Sequence, residues 1–438
     1  MTTGIIDKKR LIFPGLAGLY GTFSPASYSF MRFATGAVLI PHGIQKIMLG
    51  SAPNLATVID KQMGVSHPLI WAYFAIFAES VGAICLAVGL FTRLAALIIW
   101  IEMLGGGIAA LAAAAVVGFP TTKSVAQSAP QRIDVHHHFA SPSWLQAMKL
   151  IGADNPAIAN WSVQKSLDDM DKGGVATAIL SGNVPHVRPL GREAATRIAR
   201  ESNEYAKQLA TDHSARFGVF AMLPLPHIDE SLSEIVFALD TLKADGIGIL
   251  TNYGDKWLGY SYFDPIWDEL NRRKATVYTH PADASCCVNL VQGVPQSAIE
   301  WGTDTTRSVT SLIFSGTSQK YRDISWIFSH GGGGLTAFAE RLLVQMVTTP
   351  PYQGKFTHEM VQAELNRFHY DTAQVSLDGT LAALAKLVPI SQIMYGTDFP
   401  YRTATEHSKG VDAIFDEDVR KLVNRENALS ILPRLRSA

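Results

Sequence analysis

The sequence predicts a small all-α membrane-spanning segment followed by an α/β domain of the (β/α)8 TIM-barrel type. Three observations support this prediction. Three long apolar runs fill the first 120 residues, short apolar runs then alternate with helical segments eight times, and histidines and aspartates stand at the ends of several of those short runs. Each observation is taken in turn below.

The composition limits the classes of protein to which the chain can belong. The chain has 438 residues, a formal net charge of -1, 47% hydrophobic residues and only 17% charged residues. That charged fraction is low for a soluble protein, and the absence of any basic run argues against a nucleic-acid partner. Cys286 and Cys287 are neighbours, and adjacent cysteines rarely bridge well, so no disulfide is expected. The alternative role for this pair of side chains is to line a pocket.

Three apolar runs predict membrane helices within residues 1–120. They cover residues 30–48, 68–90 and 94–119, and the last two reach the roughly 20 residues that cross a bilayer. The sequence therefore predicts three spans and a lipid bilayer as a partner. The alternative is three buried helices of a soluble domain. The acidic residues Glu79 and Glu102 are unfavourable in lipid and are expected to face the interior of a helix bundle.

The positions of basic residues predict the orientation of these spans. Lys8, Lys9 and Arg10 precede the first run, and Arg93 lies between the second and third runs. Basic residues favour the cytoplasmic side, so three crossings place the remainder of the chain on the outer, extracytoplasmic side. Residues 93–129 also have the pattern of a cleavable export signal, which leads to the same side.

The apolar region resembles a known membrane family. The stretch RFATGAVLIPHGIQKIMLG and the later stretch FAESVGAICLAVGLFTRLAALIIWIEML are similar to the DoxX family of small four-helix membrane proteins. The resemblance covers about residues 24–104 and lacks the fourth helix of that family. The polar segment TTKSVAQSAPQ, residues 121–131, is predicted to be a linker.

Residues 132–438 are predicted to form the barrel. Eight short apolar runs alternate with helical segments such as SVQKSLDDMDKGG, which has a serine cap and a glycine stop. Strands that alternate with helices pair in parallel, and eight repeats in about 300 residues are typical of a TIM barrel. The predicted strands are IDVHHHF, VATAILS, FGVFAML, GIGILT, ATVYTHP, ISWIFSH, FHYDTA and ISQIMYGTD.

Chemically active side chains stand where the predicted strands end. A TIM barrel has its active site at the carboxyl ends of its strands, so these side chains are expected to converge. They are His136, His138, His280, His330, Asp371 and Asp398.

The spacing of the histidines predicts a metal site. Side chains alternate along a strand, so His136 and His138 share one face and His137 points to the other. With His280 and Asp398 they supply three nitrogens and one oxygen, a set typical of a catalytic zinc-type site. The sequence therefore predicts one divalent ion, for which zinc is preferred and manganese is the alternative. His137 is expected either to pack against a helix or to support the metal site through an outer contact.

The second resemblance concerns the same motifs. IDVHHHF, VYTHP, DTTRSVTSLIFSG, FSHGGGG and YGTDFPY are similar in order and spacing to the amidohydrolase-related family, in the branch of aminocarboxymuconate semialdehyde decarboxylase. The resemblance covers residues 133–433. It implies a single ion held by His136, His138, His280 and Asp398, with His330 as a catalytic residue. The subgroup it most resembles contains decarboxylases of small aromatic acids of the salicylate and resorcylate types.

The functional prediction is therefore metal-dependent decarboxylation of a small hydroxybenzoate-type acid, in which His330 or Asp398 supplies a proton to the ring. Hydrolysis of a lactone, ester or amide is the alternative, since the same residues can activate water and polarise a carbonyl. A membrane-tethered, non-catalytic accessory protein is a third reading. Turnover would exclude the accessory protein, and CO2 release would distinguish the decarboxylase from the hydrolase.

Three residues are predicted to contact the substrate, a small aromatic carboxylate. Trp161 stands where the muconate branch carries an arginine, and it indicates either an aromatic wall or simple packing. Arg188 and Arg307 are candidates to bind the carboxylate, although Arg307 fits a structural ion pair equally well. Asp371 is expected either to orient His330 or to bind a backbone amide. A homodimer is left open as the oligomeric state.

Overall fold

The computed structural model describes residues 33–37, 39–41, 43–48, 50–63, 66–92, 94–99, 131–153 and 155–437. The chain divides into two compact units, Met1–Val125 and Ala126–Ala438. Each unit is described by itself.

The first unit is helical where it is described. Three of its helices are α1 (Ala52–Met63), α2 (Pro68–Phe77) and α3 (Ala83–Val88), and the π-helical turn Ala78–Gly82 joins the last two. Residues 33–37, 39–41, 43–48 and 94–99 are helical as well. Among the described residues one helix, Pro68–Val88, is long and apolar enough to cross a membrane. Most of the third predicted span, with Glu102, lies outside the described residues.

The acidic residue of this helix has a basic partner. Lys46 Nζ donates to both carboxylate oxygens of Glu79, at 2.7 and 2.6 Å. The Glu79 side chain is only 13% exposed. A Cβ added at Gly43 would lie 2.5 Å from the Glu79 backbone, so a glycine is required at this close approach. Glu79 therefore faces its neighbouring helix, as the sequence predicts.

The second unit is a parallel eight-stranded barrel, which confirms the predicted fold class. The strands are hydrogen-bonded in the order β1-β2-β3-β4-β7-β8-β9-β10, and an antiparallel hairpin of β5 and β6 lies apart from this sheet. The strands are β1 (Arg132–Phe139), β2 (Val175–Gly182), β3 (Phe217–Met222), β4 (Gly246–Leu250), β5 (Asn252–Tyr253), β6 (Lys256–Trp257), β7 (Thr276–His280), β8 (Ser325–Phe328), β9 (His369–Asp371) and β10 (Ile393–Met394).

Backbone hydrogen bonds between β1 and the segment after β10 close the barrel. Val135 N donates to Tyr395 O at 3.0 Å, and Asp398 N donates to His136 O at 2.9 Å. His138 N donates to Phe399 O at 2.8 Å. The closure therefore lays the last motif of the barrel directly beside the histidines of its first strand.

Helices surround the sheet. The predicted serine cap and glycine stop are confirmed in α6, where Ser162 Oγ accepts from Lys165 N and Gly174 adopts φ +69°. The helices are α4 (Pro142–Leu150), α5 (Pro156–Ala159), α6 (Val163–Gly173), α7 (Arg192–Asp212), α8 (Ile228–Val236), α9 (Asp264–Arg272), α10 (Gln296–Phe314), α11 (Thr317–Lys320), α12 (Leu335–Glu340), α13 (Met346–Thr348), α14 (His358–Leu365), α15 (Asp378–Leu387), α16 (Ala404–Ile414), α17 (Glu417–Lys421) and α18 (Asn427–Ile431).

Two details of the sequence prediction are wrong. The last strand begins at Ile393, because Ile390–Gln392 form a 3-10 turn after Pro389 in which Gln392 N donates to Pro389 O. Cys286 and Cys287, expected to stay unpaired, are joined by a disulfide. The loop after β7 places the two sulfurs within bonding reach, which the spacing of the cysteines in the sequence does not show.

Apolar side chains fill the amino-terminal half of the barrel interior. They come from strands on all sides of the barrel, and Leu432 near the end of the chain packs against them. This packed layer leaves the polar side chains for the carboxyl end. Its strand members are Ile133, Val135, Ile179, Phe220, Tyr278, Ile327 and Met394.

Candidate metal centre at the carboxyl end of the barrel

An irregularity in β1 turns two histidines into the barrel. The pairing of β1 with β2 shifts between Asp134 and His137. Val135 belongs to the apolar interior, and the His136 ring lies 5.4 Å from that of Tyr278 in the same interior. Consecutive side chains therefore point inward at this bulge, after which the ordinary alternation carries His138 to the same side.

Four side chains from four different strand ends meet at one point. The ligand atoms of His136, His280, His330 and Asp398 lie within 4.8 Å of one another, and all four residues are buried. His138 borders the same point, since its Nε2 atom lies 3.2 Å from His136 Nε2 and 3.1 Å from Asp398 Oδ1. The structure therefore brings together all five residues that were predicted to bind metal or to act in catalysis.

The hydrogen bonds of the imidazole rings leave one nitrogen of each ligand available. His136 Nδ1 lies 2.8 Å from Asp371 Oδ2, His138 Nδ1 lies 3.3 Å from Gly182 O, and His280 Nδ1 lies 2.8 Å from Pro281 O. These oxygens only accept, so each Nδ1 carries a proton, and Nε2 is the nitrogen through which each ring in its neutral form can bind an ion.

The donor set fits a divalent cation. His280 Nε2 and His330 Nε2 are buried and have no hydrogen-bond partner among the described residues. Buried polar atoms without partners are rare, and an ion bound at His280 Nε2 would satisfy that nitrogen. Three imidazole nitrogens with one carboxylate oxygen match a mononuclear site. We conclude that this end of the barrel holds a buried metal site of three histidines and one aspartate.

The electrostatics favour positive charge at this point. Burial disfavours the protonated form of His136, but the carboxylates of Asp371 and Asp398 outweigh it and raise its pKa to about 10. Burial opposes the carboxylate of Asp398, yet His136 and the hydrogen bonds from its histidine neighbours hold its pKa well below the ordinary value. Burial and the neighbouring imidazoles keep the pKa of His280 well below its usual range. A neutral His280 is the form that binds metal.

Asp371 forms hydrogen bonds that hold residues of the site in place. Its Oδ2 atom faces His136 Nδ1, while its Oδ1 atom accepts from His330 N at 2.8 Å and from Ala373 N at 3.0 Å. Of the two predicted roles, the structure shows the backbone-amide contact, and it adds the orientation of a metal-facing imidazole.

A cavity of about 590 Å³ opens onto the cluster. His330 and Asp398 form part of its lining, together with the side chains of Trp301, Gln374 and Tyr401. The Trp301 ring lies 5.7 Å from that of His280, and the Tyr401 ring lies 5.8 Å from that of His138, both edge to face. Cavities of roughly 300–1,000 Å³ hold small organic ligands.

The three predicted substrate residues lie in different surroundings. Trp161 donates to Ser166 Oγ at 3.0 Å and lines a separate cavity with Phe399. Arg307 lies on α10 and lines another cavity, so the fold does not bring these two residues to the cluster. Arg188 Nη1 donates to Asn252 Oδ1 at 2.9 Å, beside the carboxyl end of β4.

Three residues of the cavity wall were not predicted. Tyr401 stands three residues after Asp398, so the YGTDFPY motif itself contained a signal for it. Trp301 and Gln374 lie on a helix and a loop between motifs, where neither spacing nor residue type distinguishes them.

Curated relatives match the barrel over nearly their whole length. Decarboxylase yanB of Aspergillus niger is 36% identical over 327 residues, covering 69% of this chain and 88% of the relative. The 6-methylsalicylic acid decarboxylase acuB of Aspergillus aculeatus is 33% identical over 321 residues, covering 70% and 97%.

Solved structures show the same fold. A 2,6-dihydroxybenzoate decarboxylase complexed with 2,6-dihydroxybenzoate has a TM-score of 0.62 at 24% identity and covers 69% of this chain and 99% of its own. A dihydroxybenzoic acid decarboxylase from Polaromonas sp. JS666, with bound manganese and the inhibitor 2-nitroresorcinol, has a TM-score of 0.59 at 21% identity and covers 70% and 98%.

Family models assign both parts of the sequence. The DoxX model matches residues 28–114, in agreement with the resemblance of the apolar region. The amidohydrolase model matches residues 133–434, which include every strand of the barrel and every residue of the metal site. The chain belongs to the amidohydrolase family and carries a DoxX segment ahead of its barrel.

Proposed function

We propose that the barrel is a metal-dependent decarboxylase that acts on a small hydroxy-substituted aromatic acid. The observation that carries this proposal is the convergence of three histidines and one aspartate beside a cavity with aromatic walls. The 6-methylsalicylic acid decarboxylase of Aspergillus aculeatus supports the substrate class, since it covers nearly the whole barrel.

The residues of the cluster divide into ligands and proton carriers. We assign the ion to Nε2 of His136, His138 and His280 and to Oδ1 of Asp398. When bound, the ion polarises the carboxylate and phenol oxygens of the substrate. His330 Nε2 lies 3.5 Å from Asp398 Oδ2 and faces the cavity. This pair delivers a proton to the ring carbon, the bond to the carboxyl carbon then breaks, and CO2 leaves.

Arg188 is the proposed partner of the substrate carboxylate. Its guanidinium is largely buried, and burial lowers its pKa. Within the described residues no carboxylate forms an ion pair with it, and its bond to Asn252 is to a neutral group. A buried cation is stabilised by an anion, which a substrate carboxylate supplies. Trp161 would support the barrel wall near Phe139 without touching the substrate.

The identity of the ion is a separate proposal. The imidazole-rich donor set favours zinc, whereas oxygen ligands from a hydroxybenzoate suit manganese. The Polaromonas enzyme contains manganese. Metal analysis of the purified full-length chain, followed by reconstitution of the metal-free protein with each ion, decides between them. The sequence-based expectation of zinc is contradicted if only manganese restores turnover.

The reaction is tested with the full chain in detergent and a panel of hydroxybenzoates that includes 6-methylsalicylate. We expect one CO2 per substrate molecule and, in heavy water, one deuterium on the ring carbon that carried the carboxylate. Hydrolysis of a lactone, ester or amide offered in the same assay, with 18O from labelled water in the acid formed and no CO2 release, would instead show the hydrolase. A metal-loaded chain that turns over no substrate would favour the accessory protein.

We propose that the chain is attached to the membrane with its barrel on the outer side. The DoxX match and the apolar helix Pro68–Val88 support attachment, and the basic residues of the sequence support the side. External protease should cleave a tag at the carboxyl terminus of the chain in intact cells. Protection of that tag would place the barrel on the inner side.

A homodimer is the oligomeric state that we propose for the barrel. A groove of about 570 Å³ is lined by Tyr260, Phe338 and Met346 beside Arg307 and exposes mainly apolar surface. Exposed apolar surface bordered by a charged side chain is typical of an interface. Light scattering of the solubilised chain measures the state, and a monomer at all concentrations would contradict it.

A further inference from the structure

Gln374 connects the metal site to a surface arginine. It follows β9 in the chain and lines the cavity. Its Nε2 atom donates to Asp398 Oδ2 at 2.7 Å, and its Oε1 atom accepts from Arg402 Nη1 at 3.0 Å. Neither the motifs of the sequence nor the comparisons assign a role to this residue.

The orientation of the amide is fixed by its two neighbours. A carboxylate can only accept and a guanidinium can only donate, so only one orientation of the Gln374 amide satisfies both. The backbone is held as well, because Gln374 N donates to His407 Nε2 at 3.1 Å. His407 is buried and its Nδ1 atom lies 3.1 Å from Thr403 O. These contacts leave the side chain little freedom.

The backbone at this point is strained. Gln374 has φ +58°, and the site residues His330 and Asp398 have φ +55° and +64°. Residues other than glycine rarely adopt this left-handed conformation, which is unfavourable and is typical of functional sites. Three such residues around one carboxylate indicate that its position matters.

The two oxygens of Asp398 consequently have different surroundings. Oδ1 lies 3.2 Å from His136 Nε2 and 3.1 Å from His138 Nε2, on the side of the metal-binding imidazoles. Oδ2 accepts from Gln374 and lies 3.5 Å from His330 Nε2. A carboxylate can bind an ion through one oxygen or through both. The hydrogen bond from Gln374 engages the second oxygen.

We infer that Gln374 is a positioning residue that restricts Asp398 to one metal-binding oxygen and so keeps a place on the ion for the substrate. This inference rests on the proposed function. Arg402 holds the Gln374 carbonyl, the Gln374 amide holds Oδ2, and Oδ1 alone remains for the ion. Without this amide, Oδ2 would be free to bind the ion as a second carboxylate oxygen, in competition with the substrate.

The test compares Gln374→Leu and Gln374→Glu with the wild-type full chain. Leucine removes both hydrogen bonds. The introduced carboxylate of Gln374→Glu still accepts from Arg402 but has no proton to donate to Oδ2. We expect both variants to lose about 10- to 100-fold in kcat/KM. We expect the metal dissociation constant, from chelator competition, to stay near that of wild type or to tighten, because a second carboxylate oxygen becomes available to the ion.

The control is Gln362→Leu on α14. Its amide donates to Asn366 Oδ1 at 2.8 Å and to Leu387 O at 3.0 Å, away from the cavity, so the same side-chain change should leave kcat/KM and the metal dissociation constant unchanged. Cobalt substitution provides a readout without substrate. The visible spectrum of both Gln374 variants should shift from that of wild type, whereas the spectrum of the control should not.

The outcomes separate this inference from the proposed reaction. Parallel loss of metal affinity, activity and thermal midpoint would show a merely structural role and overturn the inference. Wild-type activity of Gln374→Glu would overturn it as well. If wild type decarboxylates nothing, the proposed function fails, while the cobalt spectra and the dissociation constants still decide the role of Gln374.

Discussion

His137 differs from His136 and His138 in its contacts and not in its burial. Both ring nitrogens of His137 have partners, Asp134 Oδ2 at 3.0 Å and Ser166 Oγ at 2.9 Å. The Nε2 atoms of His136 and His138 lie 3.2 Å from each other, and both contact Asp398 Oδ1, at 3.2 and 3.1 Å. All three side chains are at most 1% exposed. The partner of the second ring nitrogen therefore distinguishes His137, which contacts a serine hydroxyl, from His136 and His138, which share one carboxylate oxygen, whereas burial does not.

We call the side of β1 with His137 its structural face and the side with His136 and His138 its chemical face. Contacts of the structural face also hold Asp398 in position at the chemical face. The His137 ring stacks on Phe399 at 4.6 Å, and Asp134 accepts from Thr397 N at 3.0 Å. Thr397 and Phe399 are the two neighbours of Asp398. Thr397 and Phe399 therefore contact one side of β1, and Asp398 between them extends to the metal site on the other side.

The largest effect is expected for His138→Ala. This change removes a ligand nitrogen without a substitute, so metal content should fall to background and turnover by at least about a thousandfold. The measurement is metal analysis with steady-state kinetics, and circular dichroism checks that the barrel is folded. Full metal occupancy in the variant would show that His138 is not a ligand and would contradict the distinction between the two faces of β1.

The next effect in size is expected for Asp371→Asn, which keeps the shape of the side chain and removes its charge. The amide cannot reproduce all three contacts of the carboxylate, so His136 loses its orienting acceptor or the His330 backbone amide loses its partner. Loss of such an outer contact weakens metal binding or activity by about 10- to 100-fold. Chelator competition measures the affinity, and a wild-type dissociation constant would contradict the role of Asp371.

A smaller effect, on stability alone, is expected for His137→Phe. The ring keeps its stacking on Phe399, but Asp134 and Ser166 each lose a buried partner, which lowers the free energy of unfolding by about 1–3 kcal/mol. The kcat per bound ion should stay within about threefold of wild type. Thermal unfolding and kinetics on one preparation measure both quantities. Loss of metal without loss of stability would show that His137 belongs to the chemical face.

The sequence predicts the strands and their terminal ligands because both depend on local rules. Alternation along β1 separates His137 from its neighbours, and parallel pairing brings His280 and Asp398 to the same end. Trp161 and Arg307 depend on the rotation of helices and loops about the barrel, which packing decides. The bulge in β1 and the reach of Gln374 toward Asp398 are likewise set by contacts between distant segments.

The smallest expected effect concerns His369, a buried histidine of β9 that lies outside the cluster. Its Nδ1 atom lies 3.3 Å from Trp326 O, and burial lowers its pKa to about 4. The unfolded chain binds a proton near pH 6.5 and the folded barrel does not, so this residue makes stability fall as the pH drops below 6.5 toward 4. Between pH 7 and 5.5 the loss is about 1 kcal/mol.

Replacement of His369 by phenylalanine tests this sign. The thermal midpoint of the His369→Phe barrel should change less between pH 7 and 5.5 than that of wild type, whereas His358→Gln, a change at an exposed histidine, should keep the wild-type dependence. An unchanged dependence in His369→Phe would assign the acid sensitivity to other buried histidines, such as His186, whose pKa is lowered to about 3 by burial. In that case His369 would not be the residue through which acid destabilises the barrel.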